Sequence, residues 1–327
     1  MFEIEYIGTN LFECSVPLEG ATKRYVLNGC ELNKGKDNSI LVDTEKDNFI
    51  QLICVRDSDI YQAQYNIDIV ARGEGKKIVV LCAHTIGDNR YVTKEQIHIK
   101  AETGVDVEII VMQNENGLSE HNSEYDIVVE SEAKIKLNII TLFGGKLNNK
   151  ISSLLKGEGG ECSLNGLYFG SGEQVIENSV NLVHAVGGCN SSQLFKGILD
   201  DSAKSDFRGQ IIVEKDAQKT EAYQANNNLL ISDAAHATSK PELIIYADDV
   251  KCSHGATIGT MGDEELFYMR SRGISLKEAQ LLQQQAFAAA VLEQIDQIDL
   301  RERLIGLVER RLRGEMIHCV GCSRRCC

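Results

Sequence analysis

Tryptophan is absent from the 327 residues, proline occurs twice, and aromatic residues make up only 6%. So little aromatic bulk argues against a few thick layers anchored on large rings. A hydrophobic content of 43% with 28 glycines instead suits many short apolar strands joined by tight turns. Pro17 and Pro241 are too few to make a proline-rich linker. Positive charge is also short: 34 Lys and Arg face 48 Asp and Glu, a net charge of −14. An acidic surface repels phosphate backbones and anionic headgroups, so nucleic acid and membrane are not expected partners. The N-terminus "MFEIEYIGTN" carries acids where a signal peptide has its basic and apolar regions. No apolar run approaches the roughly 18 residues of a spanning helix. The expected setting is cytoplasmic.

Eleven cysteines are present, an odd number at irregular spacing. Cys14, Cys30, Cys54, Cys82, Cys162 and Cys189 lie singly in strand-like or turn-like stretches. In a reducing compartment such residues serve as small buried hydrophobes.

From about residue 65 to 255 the pattern is strand after strand. "VDVEIIV" (Val105–Val111) and "AKIKLNI" (Ala133–Ile139) alternate apolar and polar residues, the period of a half-buried strand. "SLNGLYF", "NSVNLVH", "SQLFKGIL", "DFRGQIIV", "NNNLLIS" and "PELIIYA" follow, with centres recurring roughly every 15 residues. Short strands at a fixed period describe coils that stack because none buries its inner side alone. The expected fold is mainly β, a β-helix or related solenoid; a sandwich is the alternative that periodicity leaves open. Asn226-Asn227-Asn228 is read as a turn between coils. The first 62 residues read as a smaller N-terminal β region, and 63–260 as the β-helix core.

Past residue 260 the pattern turns helical. Asp263 is placed to cap "EELFYMRSR", with Arg270 and Arg272 in its last turn and Gly273 as the stop. Ser275-Leu276-Lys277-Glu278 has the form of a capping box opening a helix to about Ile298. Its middle, "AFAAAVL", predicts burial on more than one side. A third helix, Leu300 to Arg313, sets Leu300, Leu304, Leu307, Val308 and Leu312 on one stripe. Residues 261–314 thus form a C-terminal helical domain, and 315–327 a flexible Cys-rich tail.

Phosphate-binding and hydrolase signatures are missing: "GEGKK" (Gly73–Lys77) lacks P-loop spacing, and neither G-x-S-x-G nor H-E-x-x-H occurs. No catalytic residue is therefore assigned, and the chain is not expected to be an enzyme. His84, His98, His121, His184 and His236 stand alone and read as surface or satisfied core histidines. Cys252 and His254, at i and i+2 in "YADDVKCSHGATIG", share a strand face. Thiolate and imidazole suit iron in a cluster or zinc; a nucleophile pair or plain core packing are the other readings. The tail "HCVGCSRRCC" adds His318, Cys319, Cys322, Cys326 and Cys327, a second and weaker set of metal ligands.

The residues "FKGILDDSAKSDFRGQIIVEKDAQKTEAYQANNNLLIS", "KPELIIYADDVKCSHGATIG" and "DEELFYMRSRGISLKEAQ" resemble the core of the SufB/SufD family. These are scaffold subunits of iron–sulfur cluster assembly, and the match is on the SufD-like branch. The resemblance covers about a third of the chain strongly. It implies a right-handed β-helix with a C-terminal helical domain. It also implies a transient cluster held at a subunit interface, with Cys252 and His254 among its ligands. The SufB branch carries a cysteine before the "NNLL"-like stretch and a glutamate after the motif histidine, where this sequence has Asn226 and Gly255. By resemblance the partners are a SufC-like ATPase, docked through Phe267, Tyr268 and Arg270, and a SufB-like subunit. A homodimeric scaffold working with the ATPase alone is the alternative; outside the family, it is a β-helical enzyme acting on carbohydrate. By the same resemblance, the family's N-terminal helical region is expected to be reduced or missing here.

Overall fold

A computed structural model describes residues 3–7, 18, 20–28, 39–56, 62–85 and 89–315. Eighteen strands and three helices follow one another among them. The first six strands are β1 (Glu3–Ile7), β2 (Lys23–Asn28), β3 (Ser39–Asp43), β4 (Phe49–Arg56), β5 (Gln62–Ala71) and β6 (Lys76–Thr85). Next come β7 (Val92–Ala101), β8 (Asp106–Asn114), β9 (Glu120–Val129), β10 (Lys134–Phe143), β11 (Lys146–Leu155) and β12 (Glu161–Gly170). The last six are β13 (Val175–His184), β14 (Asn190–Leu199), β15 (Lys204–Val213), β16 (Thr220–Leu230), β17 (His236–Ile245) and β18 (Val250–Gly259).

From β2 onward, consecutive strands belong to opposite sheets. The even-numbered strands with β1 form a ten-stranded sheet A; the odd-numbered strands from β3 to β17 form an eight-stranded sheet B. Every pairing is parallel, and Lys146 lies beside Val175 as Val175 lies beside Lys204. The chain is therefore a parallel β-solenoid, and the repeat read from the sequence is one strand, half a coil. β4 pairs with β6 and β3 with β5, so both ladders run on across residue 62.

The two sheets bury different amounts of themselves. Strands β5 to β15 of sheet B alternate between buried and more exposed residues, because only their inner side meets the core. In sheet A, β6, β8, β10 and β12 are buried on both sides over most of their second halves, as in "VVLCAHT" and "GLYFG". The reason is the helical tail. α2 (Leu276–Leu292) and α3 (Ile298–Leu312) lie on the outer face of sheet A. Ala288, Val291, Leu304 and Val308 there meet Val80, Ile110, Ile140, Leu167 and Ile198. Each such aliphatic side chain contributes about 1.5–3 kcal/mol when fully buried. Leu300, Leu304, Leu307 and Val308 are buried as their spacing predicts. Burial of α2 is one-sided, however: Ala286 is exposed, because the helix has a sheet beneath it and solvent above.

Polar contacts fix the hairpin. Asp296, between α2 and α3, pairs with Lys76 and, at 2.7 Å, with Lys136; its backbone N–H donates to Glu108 at 2.8 Å. Burial raises the Asp296 carboxyl, but the two lysines outweigh it and hold the group below its ordinary range. Arg311 donates to the Leu142 carbonyl at 3.0 Å and to Ser171 at 2.7 Å. At the start of α2, Ser275 accepts from the Glu278 N–H as expected. α1 (Asp263–Ser271) differs from expectation: Gly262 occupies the N-cap and Asp263 the first helical turn, with no side-chain cap.

Asn226-Asn227-Asn228 is not a turn but lies inside β16. Two of the three point into the solenoid, where asparagines bond to one another instead of to a turn backbone. Tyr168 Oη donates to Asn228 Oδ1 at 2.7 Å, Asn226 donates to Tyr168 Oη at 3.1 Å, and Asn228 donates to Asn226 at 2.9 Å. Gly197 makes room for this group, because a Cβ there would stand 2.2 Å from the Tyr168 ring and 2.5 Å from Asn228 Oδ1. Gly197→Ala is expected to lower stability by about 1–3 kcal/mol through overpacking. Gly259→Ala, at a site with nothing within 4 Å, is expected to stay within about 0.5 kcal/mol of the parent. Urea denaturation of both variants checks the pair.

Candidate functional site

β18 is the last strand of sheet A and β17 the last of sheet B, so each has a neighbour on one side only. Cys252 stands beside Ala222 of β16, and His254 beside Gln224. Ala222 and Gln224 are fully interior. Cys252 and His254 thus occupy the inward face of a coil that no further coil covers. Cys252 is half-buried against the solenoid core and His254 is exposed. Leu243 and Val250 pack against the same core, while Ile245, Tyr246 and Ile258 are exposed. This end of the hydrophobic interior is open. Pro241 lies on β17, and an edge strand is where proline is tolerated.

β18 is held in place by ordinary means. Lys251 pairs with Glu221 at 2.7 Å, and Asn227 donates to Thr257 at 2.6 Å. Burial raises the Cys252 thiol above its ordinary value, so the sulfur is protonated at neutral pH and a metal must displace that proton. The described residues contain no group of three or more His, Cys, Asp or Glu arranged to hold a metal ion. Cys252 and His254 are two donors without a third.

The residues expected to contact a partner lie on α1, none of whose residues is buried. Phe267 is 74% exposed and Tyr268 60%. Phe267 and Arg270 line one shallow groove with Ile274 and Leu276; Tyr268 lines another with Met269, Leu282 and Ala286. The four tail cysteines, Cys319, Cys322, Cys326 and Cys327, and His318 lie outside the described residues, as do Cys14 and Cys30. Cys54, Cys82, Cys162 and Cys189 are buried, and burial pushes the Cys162 thiol up to about 12. No helix among the described residues is long and apolar enough to cross a membrane.

One titratable cluster escapes the sequence reading. His121 sits in the core with Nδ1 2.9 Å from Glu115 Oε1, and Nε2 2.7 Å from Ser123 Oγ and 3.3 Å from Glu95. Serine, histidine and carboxylate are arranged as a nucleophilic triad would be. All four side chains are buried, however, so the arrangement is a sealed charge cluster. The signal that could have found it is the repeat: Thr93 is the register partner of His121, and Glu95 that of Ser123, one coil apart. His121 itself is thus a satisfied core histidine, one of the two readings made for the isolated histidines, and His84 is buried as well. His98 pairs with Asp126 at the surface, His184 bonds Ser191 at 2.8 Å, and His236 is exposed.

The chain shares 36% identity over 230 residues with the iron–sulfur cluster assembly protein SufD of Escherichia coli K12, covering 70% of this chain and 54% of that protein. It shares 37% over 195 residues with an iron–sulfur cluster assembly SufBD family protein of Synechocystis, covering 59% and 42%. The figure is 28% over 182 residues for the SufD of Bacillus subtilis, covering 56% and 42%. The chain spans about half the length of the relatives it matches. Residues 54–287 match the family profile described as SUF system FeS cluster assembly, SufBD core domain. The chain therefore belongs to the SufBD family of iron–sulfur cluster assembly proteins.

The buried cluster gives a pH prediction. Burial pushes His121 down, but Glu95 and Glu115 outweigh it and carry the imidazole up to about 9. A pKa raised in the fold stabilises fully below the unfolded value and is lost as pH climbs through the folded one. Stability on the order of 3 kcal/mol is thus expected to fade between pH ~6.5 and ~9.5. His121→Gln removes the cation from two buried carboxylates, costing about 3–5 kcal/mol at neutral pH. Its unfolding midpoint is expected to vary much less over that window. Denaturation curves of both proteins across the window measure it.

Proposed function

We propose, from membership of the SufBD family, that this chain is a scaffold subunit on which an iron–sulfur cluster is built at a subunit interface. The cluster is cargo. Cys252 and His254 supply two of its ligands, and a second subunit covering the open end of the solenoid supplies the rest. The observation that carries this reading is the position of both donors on the uncovered inner face of β18. Clusters ordinarily take four protein ligands, and the described residues offer two at this place. An edge strand with free backbone groups beside exposed Ile245, Tyr246 and Ile258 is a surface that pairs with another chain. That chain is a SufB-like subunit, or a second copy of this one.

The exposed aromatic pair Phe267 and Tyr268, with Arg270 beside them, is the proposed docking surface for a SufC-like ATPase. α1 follows β18 directly and precedes the stapled α2–α3 hairpin. A partner gripping α1 therefore pulls on the strand that carries Cys252 and His254. This coupling gives nucleotide-driven movement of the ATPase a short path to the site. The chain itself contributes ligands and geometry and performs no catalysis.

Anaerobic reconstitution of the assembled complex, with iron and sulfide quantitation, tests the ligands. Cys252→Ala and His254→Ala are each expected to abolish cluster accumulation and leave subunit association intact. Replacing Cys319, Cys322, Cys326 and Cys327 together is expected to matter less. Cluster content equal to the parent's in the double variant overturns the assignment, and loss only in the tail variant moves the site to the C-terminus. Because burial raises the Cys252 thiol, loading is expected to increase with pH.

The docking surface has its own test. Phe267→Glu and Tyr268→Glu put a charge where burial against an ATPase is required, and each is expected to end copurification with that subunit while cluster loading in vitro persists. A complex unaffected by both changes places the ATPase elsewhere.

A further inference from the structure

Two glutamines lead along the solenoid interior toward the open end. Gln193 of β14 is the register partner of Gln224 of β16, and Gln224 is the register partner of His254. Both glutamines are buried. Gln224 Nε2 donates to Gln193 Oε1 at 2.6 Å. Across the interior, Gly209 of β15 leaves room for the same amide, since a Cβ there would stand 2.2 Å from Gln224 Nε2. The donor end of Gln224 is thereby committed to the coil behind it. The acceptor end is not: Gln224 Oε1 is buried with no hydrogen-bond partner. A buried unsatisfied carbonyl costs about 1–3 kcal/mol, so native proteins rarely leave one without a use.

Amide ladders have a direction. Gln224 donates back to the preceding coil and leaves its oxygen uncommitted, and the next residue on this face is His254. Strand neighbours are ~4.8 Å apart, within reach of a glutamine side chain and the ring nitrogen nearest the histidine Cβ. We propose that Gln224 is a positioning residue for His254: its Oε1 accepts the Nδ1–H of the imidazole and leaves the Nε2 lone pair facing the open end. Ligating histidines ordinarily gain orientation and tautomer from such a partner on their second nitrogen. The use of Nε2 as a ligand rests on the function proposed above; the hydrogen bond itself does not.

The tautomer of His254 reads this directly, on the metal-free protein, so its outcome is independent of cluster binding. Histidine-selective 15N labelling, with His254→Ala to assign the signal, reports which ring nitrogen carries the proton at a pH where the ring is neutral. A solvent-exposed imidazole favours Nε2–H. The parent protein is expected to show Nδ1–H as the major form, and Gln224→Met to revert to Nε2–H. Gln224→Glu keeps an acceptor in place and is expected to restore Nδ1–H. Backbone amide spectra confirm that each variant is folded. An Nε2–H majority in the parent, or an unchanged tautomer in folded Gln224→Met, overturns the proposal. If Gln224→Met does not fold, the parent spectrum alone decides. A retained Nδ1–H with full cluster loading in His254→Ala sinks the ligand reading and leaves this hydrogen bond standing.

Discussion

Parallel coils cover one another, and this mutual covering is the constraint from which the rest of the molecule follows. Inside the stack each strand has a neighbour on both sides, so its inner side chains and backbone groups face the coil before and the coil after. The arrangement tolerates polar residues in the interior as long as they find each other. Asn226 and Asn228 meet Tyr168, His121 meets two glutamates, and Gln224 meets Gln193. The last coil meets this condition on one side only. Val250, Cys252 and Leu243 are packed below and uncovered above, and it is there that the two proposed ligands stand.

The helical hairpin answers the same constraint in a second direction. Sheet A would otherwise present Val80, Ile110, Ile140 and Leu167 to water, and α2 and α3 cover them. Position along the sheet is set by polar contacts that slide poorly: Asp296 between Lys76 and Lys136, and Arg311 on Leu142 and Ser171. A hairpin pinned at both ends does not drift when something pulls on α1. Because α1 has no buried residue of its own, it is the compliant link between a fixed hairpin and an edge strand.

Much of this was legible in sequence. Alternation and a regular repeat gave the stacked strands, the leucine stripe gave α3, and the i, i+2 spacing put Cys252 and His254 on one face. What escaped were contacts that depend on coil length. Glu95 and His121 are unremarkable apart and become neighbours only when the chain is wound at two strands per coil. The asparagine triplet misled for a related reason. Asparagine favours turns where it must bond to its own backbone, but inside a solenoid the neighbouring coil supplies a better partner. The near-continuous apolar halves of the sheet A strands, "VVLCAHT" and "GLYFG", were the available sign of a second covered face.

Nothing local marks "VKCSHGATIG" as the end of the stack. Its alternation is that of any other coil, and only the absence of a following strand in the described chain makes it an edge. The same residues two coils earlier would be sealed, with the thiol pushed up as Cys162 is and the imidazole held neutral as His184 is, its pKa lowered to about 4 by burial. Placed last, the thiol keeps part of that burial while the histidine reaches solvent. The two uncovered donors and the half-covered core are therefore one structural fact. Whatever chain covers the apolar edge must also approach the two donors, so the contact that completes the core is the one placed to complete the site.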